Sequence, residues 1–534
     1  MTNEPVGVLI IGAGASGGAF AWSIADLGTS VLCLEQGPWM HQRDYPTNFM
    51  DWETRASGPF APNPNVRRLA QDYPVNDSES PIQPLMFNAV GGSTILWAAH
   101  FPRFTPGDFR VRTEDGVADD WPISYETLEP FYTTNDRMMG VSGLAGDPAY
   151  PYHEPPLPPL PLGATGNVVA RGFERLGWHW WPSDSAIISQ EYGGRAPCIN
   201  LGACGSGCTQ GAKASTDITY WPLAERKGVQ LRTNCRVKEI TVSENGLADG
   251  VLYYDADGVL QEQKAEVVVL ACNGIGTPRL LLNSRSERFP DGLANSSGLV
   301  GKNLMFHPYA LIRGVFEENL NSRRGPTGCT FWSHEFYKTD RSRGFVRGYS
   351  YEGSRGGGPG MSAVWGMATG RIPWGEGHHD AYARVNGHVA GMVAITEDLP
   401  DEANTVTLDP VLRDGNGIPA PKVTYTLSEN SRRQLAHAVD RGTEALKAAG
   451  AVDVYADPLM RTAGWHLMGT ARMGTDPARS VVNEWGRAHD VKNLFIIDGS
   501  IFVTSAGVNP TSTIQALALY IADSMKKNVG ELFA

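Results

Sequence analysis

The chain predicts an α/β fold (α+β overall), with a Rossmann-like dinucleotide-binding domain that is discontinuous in sequence and a second, β-sheet-based domain that would hold a substrate. Three observations carry this expectation. A strand, a Gly-rich turn, a helix and a second strand open the sequence between Val6 and Gly37. A buried apolar run, Ala265 to Leu270, leads straight into a helix-forming segment further on. Between them and the C-terminus, a block with beta-like alternation interrupts the pattern. The expected division is 1–310 with 451–534 for the dinucleotide-binding part, including loop excursions at about 40–87 and 110–200, and 311–450 for the second domain.

The first unit is the most specific. Gly12, Gly14 and Gly17 form G-x-G-x-x-G directly after the apolar run Val8–Ile11, with Ser16 inside the turn. Such glycines permit a tight turn, and the helix that follows offers free N–H groups to a pyrophosphate. Glu35, followed by Gln36, ends the second strand where an acid accepts hydrogen bonds from an adenosine ribose. The fingerprint serves FAD and NAD alike, so this unit does not choose between them. A second Gly-rich segment, Gly91-Gly92-Ser93-Thr94, lets backbone run close to a flat ring or a phosphate. Pro148 to Leu162 reads as an extended connector, Gly228 onward as two strands, and Ser428 to Ala449 as an amphipathic helix.

Composition limits the partners. The 534 residues are 42% hydrophobic and 19% charged, the profile of a globular protein, and the length suggests several structural units. A net charge of -12 argues against nucleic acid or an anionic membrane as a main partner. The first strand begins within a few residues of Met1, which leaves no room for an export signal, and no apolar run approaches the roughly 18 residues of a membrane span. A cytoplasmic location is expected, and seven cysteines without a disulfide-like pattern agree with it.

Chemistry concentrates near the C-terminus. Gly464 to Gly474 reads G-W-H-L-M-G-T-A-R-M-G, and Asn493 to Ala516 contains I-I-D-G-S and G-V-N-P-T-S-T. A histidine, His466, and an amide, Asn509, fall on Gly-rich segments beside a helix start. A histidine takes a hydroxyl proton while hydride leaves the same carbon, and a fixed amide holds that hydroxyl. Asn509 stands before Pro510 and Thr511, so an N-cap is its competing structural role.

These segments, in this order, resemble the glucose-methanol-choline (GMC) family of FAD-dependent oxidoreductases. The likeness rests on the N-terminal fingerprint, Gly91–Thr94, A-C-N-G-I-G-T-P-R-L-L-L-N-S at Ala271–Ser284, G-K-N-L-M-F-H-P at Gly301–Pro308, and the two C-terminal segments. It is weakest between about 311 and 405. The resemblance implies FAD as cofactor, His466 and Asn509 as the catalytic pair, and a sugar or glycoside as substrate, as in bacterial pyranose oxidases and C-glycoside 3-oxidases. The electron acceptor would be oxygen or a quinone-type compound, and nothing specifies an oligomer. It further implies contacts to FAD from Asp498, Gly499, Thr511 and the backbone of Val237. Relatives that tether FAD do so through a histidine where this chain has Leu96, so the FAD is expected to be noncovalent. His307 is expected to pack near the flavin domain.

Two other readings of the sequence stay open. Cys198, Cys204 and Cys208 lie within eleven residues. Some relatives, the FAD glucose and fructose dehydrogenases, bind a three-iron cluster through such a segment, which would make this chain the flavoprotein subunit of a sugar or gluconate dehydrogenase complex. A sterol or aliphatic alcohol oxidoreductase of the same family is another reading. His378, His379 and Asp380 lack a second ligand pair, so no metal site is expected there.

Overall fold

The computed structural model describes residues 4–328, 330–528 and 530. Its cofactor half is built on a seven-stranded sheet. The order is Gln230–Arg232, Val31–Leu34, Val6–Ile11, Leu260–Leu270, Ala248–Tyr254 and Arg236–Val242, with Leu494–Ile496 also paired to Leu260–Leu270. Val6–Ile11 runs parallel to both neighbours, Val8 facing Val31 on one side and Val267 on the other. All six of its residues are buried, as expected of a parallel strand covered on both faces. Helices Ala15–Ile24 and Thr511–Lys527 pack on each other against this sheet, bringing the two ends of the chain together.

The two strands expected after Gly228 do form, but they do not pair. Gln230–Arg232 extends the parallel edge beside Val31–Leu34, while Arg236–Val242 lies at the opposite edge in an antiparallel ladder with Ala248–Tyr254. Local sequence specifies that a segment is extended. Which edge it joins depends on register with distant strands.

The second layer is a six-stranded antiparallel sheet in the order Asp453–Asp457, Tyr309–Val315, Val389–Thr396, Tyr349–Arg355, Phe331–Ser333 and Trp181–Pro182. It draws strands from both sides of the 311–450 interval. Helix Glu429–Ala449 covers it, started by Ser428, whose side chain accepts from the Ser431 N–H. Helix Gly163–Leu176 packs alongside; Gly172 permits this, since a Cβ there would overlap the Ala445 carbonyl.

The expected loop excursions contain regular structure. Helix Tyr125–Met139 buries Tyr125, Leu128, Tyr132 and Met139 despite Pro130 within it, and the Gly163–Leu176 helix lies in the same interval. Between 40 and 87 lie short helical turns and the strand Asn76–Glu79, which pairs with Pro419–Thr424 in a three-stranded sheet completed by Thr405–Arg413. Pro130 obscured the helical signal because proline removes an interior hydrogen bond, a loss that the buried face offsets here. Arg347, also buried, ties Glu397, at the end of strand Val389–Thr396, to Asp108 and Asp115 of the segment 106–115. Among the described residues no helix is long and apolar enough to cross a membrane.

Candidate active site

A cavity of about 420 Å³ runs between the two layers, with Glu35 and Val237 lining one end and His466 and Asn509 the other. Its nucleotide end is shaped by backbone. Gly12 has φ +101°, and a Cβ on it would stand 2.5 Å from the Ala271 carbonyl. At Gly14 the same atom would meet nothing within 4 Å, so this face of the turn is open. Gly14 caps the Ala15–Ile24 helix without a side-chain bond, and the helix start faces the cavity at Ala15 and Ser16.

The second turn closes on the first. A Cβ on Gly92 would lie 3.0 Å from the Gly14 Cα, so the two glycine turns abut. Ser93 and Thr94 line the cavity beside them, with Thr94 Oγ1 donating to the Gly91 carbonyl at 2.5 Å. Gly17 and Gly91 do not line it: Gly17 packs against the Gly12 carbonyl and Gly91 against Asp217.

Glu35 is 6% exposed and already engaged, accepting from the Ala13 and Gly37 N–H groups at 2.8 Å each. Burial pushes its carboxyl up to about 7 against those bonds. Each oxygen keeps a second lone pair for a ribose hydroxyl. Gln36 and Val237 line the same end. An open helix start, two abutting glycine turns and a buried acid together fit an extended dinucleotide such as FAD.

Asp498 and Gly499 bridge the cavity wall. Asp498 Oδ2 accepts from the Asn273 N–H at 3.0 Å and Thr277 Oγ1 at 2.6 Å, while Oδ1 accepts from the Ser500 N–H. The carboxyl thus holds the start of helix Asn273–Asn283 while facing the cavity, and burial raises its pKa. Thr511 opens the last helix at the cavity wall. Leu96 also lines the cavity and carries no nucleophilic atom.

The other end carries the proton chemistry. Asn509 does not act as an N-cap: the capping position of Thr511–Lys527 is Pro510, without a side-chain bond, and the buried Asn509 Oδ1 has no hydrogen-bond partner. His307, expected only to pack, contacts His466 directly, Nδ1 to Nδ1, at 2.7 Å. His307 Nε2 faces the carbonyls of Ala506 at 2.7 Å and Ser505 at 3.2 Å. Carbonyls only accept, so Nε2 carries the hydrogen. Burial holds His307 down to about 4, leaving a neutral ring whose bare Nδ1 accepts. His466 Nδ1 must therefore donate. Its own pKa is pushed well down, first by burial and then by His307, so the ring is neutral and its lone pair sits on Nε2. Among the described residues that nitrogen has no hydrogen-bond partner, and His466 lines the cavity.

Two further residues at this end carried no sequence signal. Glu352, on the strand Tyr349–Arg355, and His100, in a loop, both line the cavity and are buried. Glu352 sits in a buried strand where only the tertiary packing distinguishes it from a surface acid.

The cysteine segment forms a turn tied down by Lys213, whose Nζ donates to the carbonyls of Ile95, Trp97 and Cys204 at 2.7, 3.0 and 2.7 Å. Cys198, Cys204 and Cys208 are free thiols, and burial pushes Cys198 up to about 11. Among the described residues no three His, Cys, Asp or Glu side chains are grouped to hold a metal ion.

Comparison with known proteins identifies the family. Residues 159–309 and 400–518 match the two family models described as GMC oxidoreductase, and residues 10–73 match an NAD(P)-binding Rossmann-like domain. The chain is 42% identical to 2-methyl-1,2-propanediol dehydrogenase of Mycolicibacterium austroafricanum, over 98% of this chain and 96% of that protein. It is 31% identical to the fructose dehydrogenase large subunit of Gluconobacter japonicus, over 98% and 99%. The crystal structure of pyridoxine 4-oxidase from Mesorbium loti superposes with a TM-score of 0.66 at 17% identity, over 97% and 98%, which shows a shared fold. The chain belongs to the GMC oxidoreductase family, flavoproteins that oxidise CH–OH groups.

Proposed function

We propose that the chain oxidises a secondary alcohol of a sugar or glycoside to the ketone, with noncovalently bound FAD and with His466 as base. This places it with the bacterial pyranose oxidases and C-glycoside 3-oxidases, in a cytoplasmic setting, passing electrons to oxygen or a quinone-type acceptor. The observation that carries the reading is the directed pair His307–His466, which leaves a bare Nε2 on a residue of the cavity wall. Bound FAD supplies a hydride acceptor at its N5.

The residues do the rest. His466 Nε2 takes the hydroxyl proton as hydride leaves the carbinol carbon. The resulting imidazolium keeps its Nδ1–H bond to His307 Nδ1, so the ring does not turn as its charge changes. Asn509, on the same cavity wall, donates an amide N–H to the oxygen of that hydroxyl and so orients it, while the single hydroxyl hydrogen goes to His466 Nε2. The apolar walls exclude water from the reacting carbon. Support for a polyhydroxylated substrate comes from relatives named for a sugar and for a diol.

The test is anaerobic bleaching of the bound flavin by a panel of sugars, C- and O-glycosides, sterols and choline. Sugars or glycosides should bleach it; bleaching by sterols alone would sink the reading. Acid precipitation should release all of the yellow colour into the supernatant, whereas colour kept in the pellet would show a covalent link.

A further inference from the structure

The proton removal proposed for His466 does not use Glu352, which occupies the substrate end of the cavity. It is 5% exposed, on a strand whose neighbouring residue in register, Val393, also lines the cavity. Among the described residues no lysine or arginine pairs with it. Its nearest titratable neighbour is His100, whose Nε2 lies 3.6 Å from Glu352 Oε2. Among the described residues both His100 ring nitrogens are buried without a hydrogen-bond partner. The room for that ring comes from Gly328, where any side chain would overlap Nε2. On its other side Glu352 meets the amide of Asn509.

Burial pushes Glu352 up to about 8, and it pushes His100 down to about 4, so both are neutral near pH 7. A protonated carboxyl, a neutral imidazole and an amide make a patch of hydrogen-bond donors and acceptors without net charge, in a cavity whose walls are otherwise mostly apolar. Buried polar atoms without partners are uncommon, and their clustering beside Asn509 marks a place completed by a ligand. Resting on the reading of His466 and Asn509 as the pair that handles the reacting hydroxyl, we infer that Glu352 is a specificity residue that hydrogen-bonds a second, neighbouring hydroxyl of the substrate. The ligand class is a neutral vicinal diol, as found along a sugar ring, and neither a lone alcohol nor a cationic amine fits as well.

Binding can be measured apart from turnover. FAD-loaded protein carrying His466→Ala is titrated by calorimetry with trans-cyclohexane-1,2-diol, cyclohexanol and trans-2-aminocyclohexanol. The diol should bind about tenfold more tightly than cyclohexanol, the worth of one buried hydrogen bond. Adding Glu352→Met, which keeps the volume and removes the polar group, should bring the two within about twofold, and Glu352→Gln should retain most of the preference. Equal affinities without the Glu352 change, no diol binding, or a preference that survives Glu352→Met would overturn the inference. Tightest binding of the amino alcohol would overturn it too, by making the site a cation site. Failure of the proposed function is read separately, as a flavin that no sugar or glycoside bleaches in the protein with His466 intact.

Discussion

The two ends of the cavity are built on opposite principles. At the nucleotide end, recognition lies in backbone: Gly14 leaves an open face, Gly92 abuts it, and Glu35 has both oxygens already bonded to N–H groups. At the substrate end, side chains are left unsatisfied, with Asn509 Oδ1 and the His100 ring lacking partners and His466 presenting a bare nitrogen. A pre-satisfied end holds its shape whether or not a ligand is bound. An unsatisfied end gains most when the right ligand arrives, because it recovers hydrogen bonds that the empty cavity withholds. The difference separates a site for a resident cofactor from one for a passing substrate.

Substitutions at the two ends should therefore fail in different ways. The largest effect is expected at the backbone end: Gly17→Val would drive a side chain into the Gly12 carbonyl and abolish FAD binding. The purified protein should be colourless, with activity lost for that reason alone. A yellow Gly17→Val protein would break the comparison.

His466→Ala should instead keep its colour and lose roughly 10²- to 10⁴-fold in the rate of anaerobic flavin reduction. His307→Ala, which removes the acceptor that fixes the His466 tautomer, should lower the same rate by about 10²-fold. Asn509→Ala should lower it by a similar or smaller factor, about 10- to 10²-fold, with FAD retained. If Asn509→Ala loses FAD, the residue belongs to the cofactor end and the boundary drawn here moves.

The pH profile sharpens the same contrast with the smallest change. The neutral ring of His466 is the proposed base, and its pKa lies well below the ordinary histidine value of 6.5. The neutral form therefore persists as pH falls below that value, and kcat/KM should be lost only in the acid range, as His466 gains a proton. No fall should appear on the alkaline side from this group. A profile that drops already between pH 7 and 6 would show a histidine not held neutral by burial and His307.

How much of this was legible before the structure differs along the chain. The nucleotide end was readable because its elements are contiguous: Val6–Ile11, the glycine turn, the helix and Glu35 lie within about thirty residues, where spacing alone fixes geometry. His466 and Asn509 stood out through their Gly-rich surroundings. His307 was assigned to packing because nothing local tells that its ring meets a residue 159 positions away. Glu352 gave no sign at all, since a glutamate in an alternating strand reads as a solvent-facing acid until the sheet shows which face is covered. The helix Tyr125–Met139 was hidden by Pro130, whose local cost is overcome only once its apolar face is buried.

By itself the sequence determined a dinucleotide fold and a flavin-family order of motifs, and it singled out His466 and Asn509 as candidates, all of them properties of short segments whose backbone geometry is local. The tertiary structure decided which edge of the sheet each strand joins, which nitrogen of His466 is bare, and that Glu352 and His100 line the cavity. These depend on atoms brought together from distant parts of the chain, where burial strips water from polar groups and makes each remaining partner decisive.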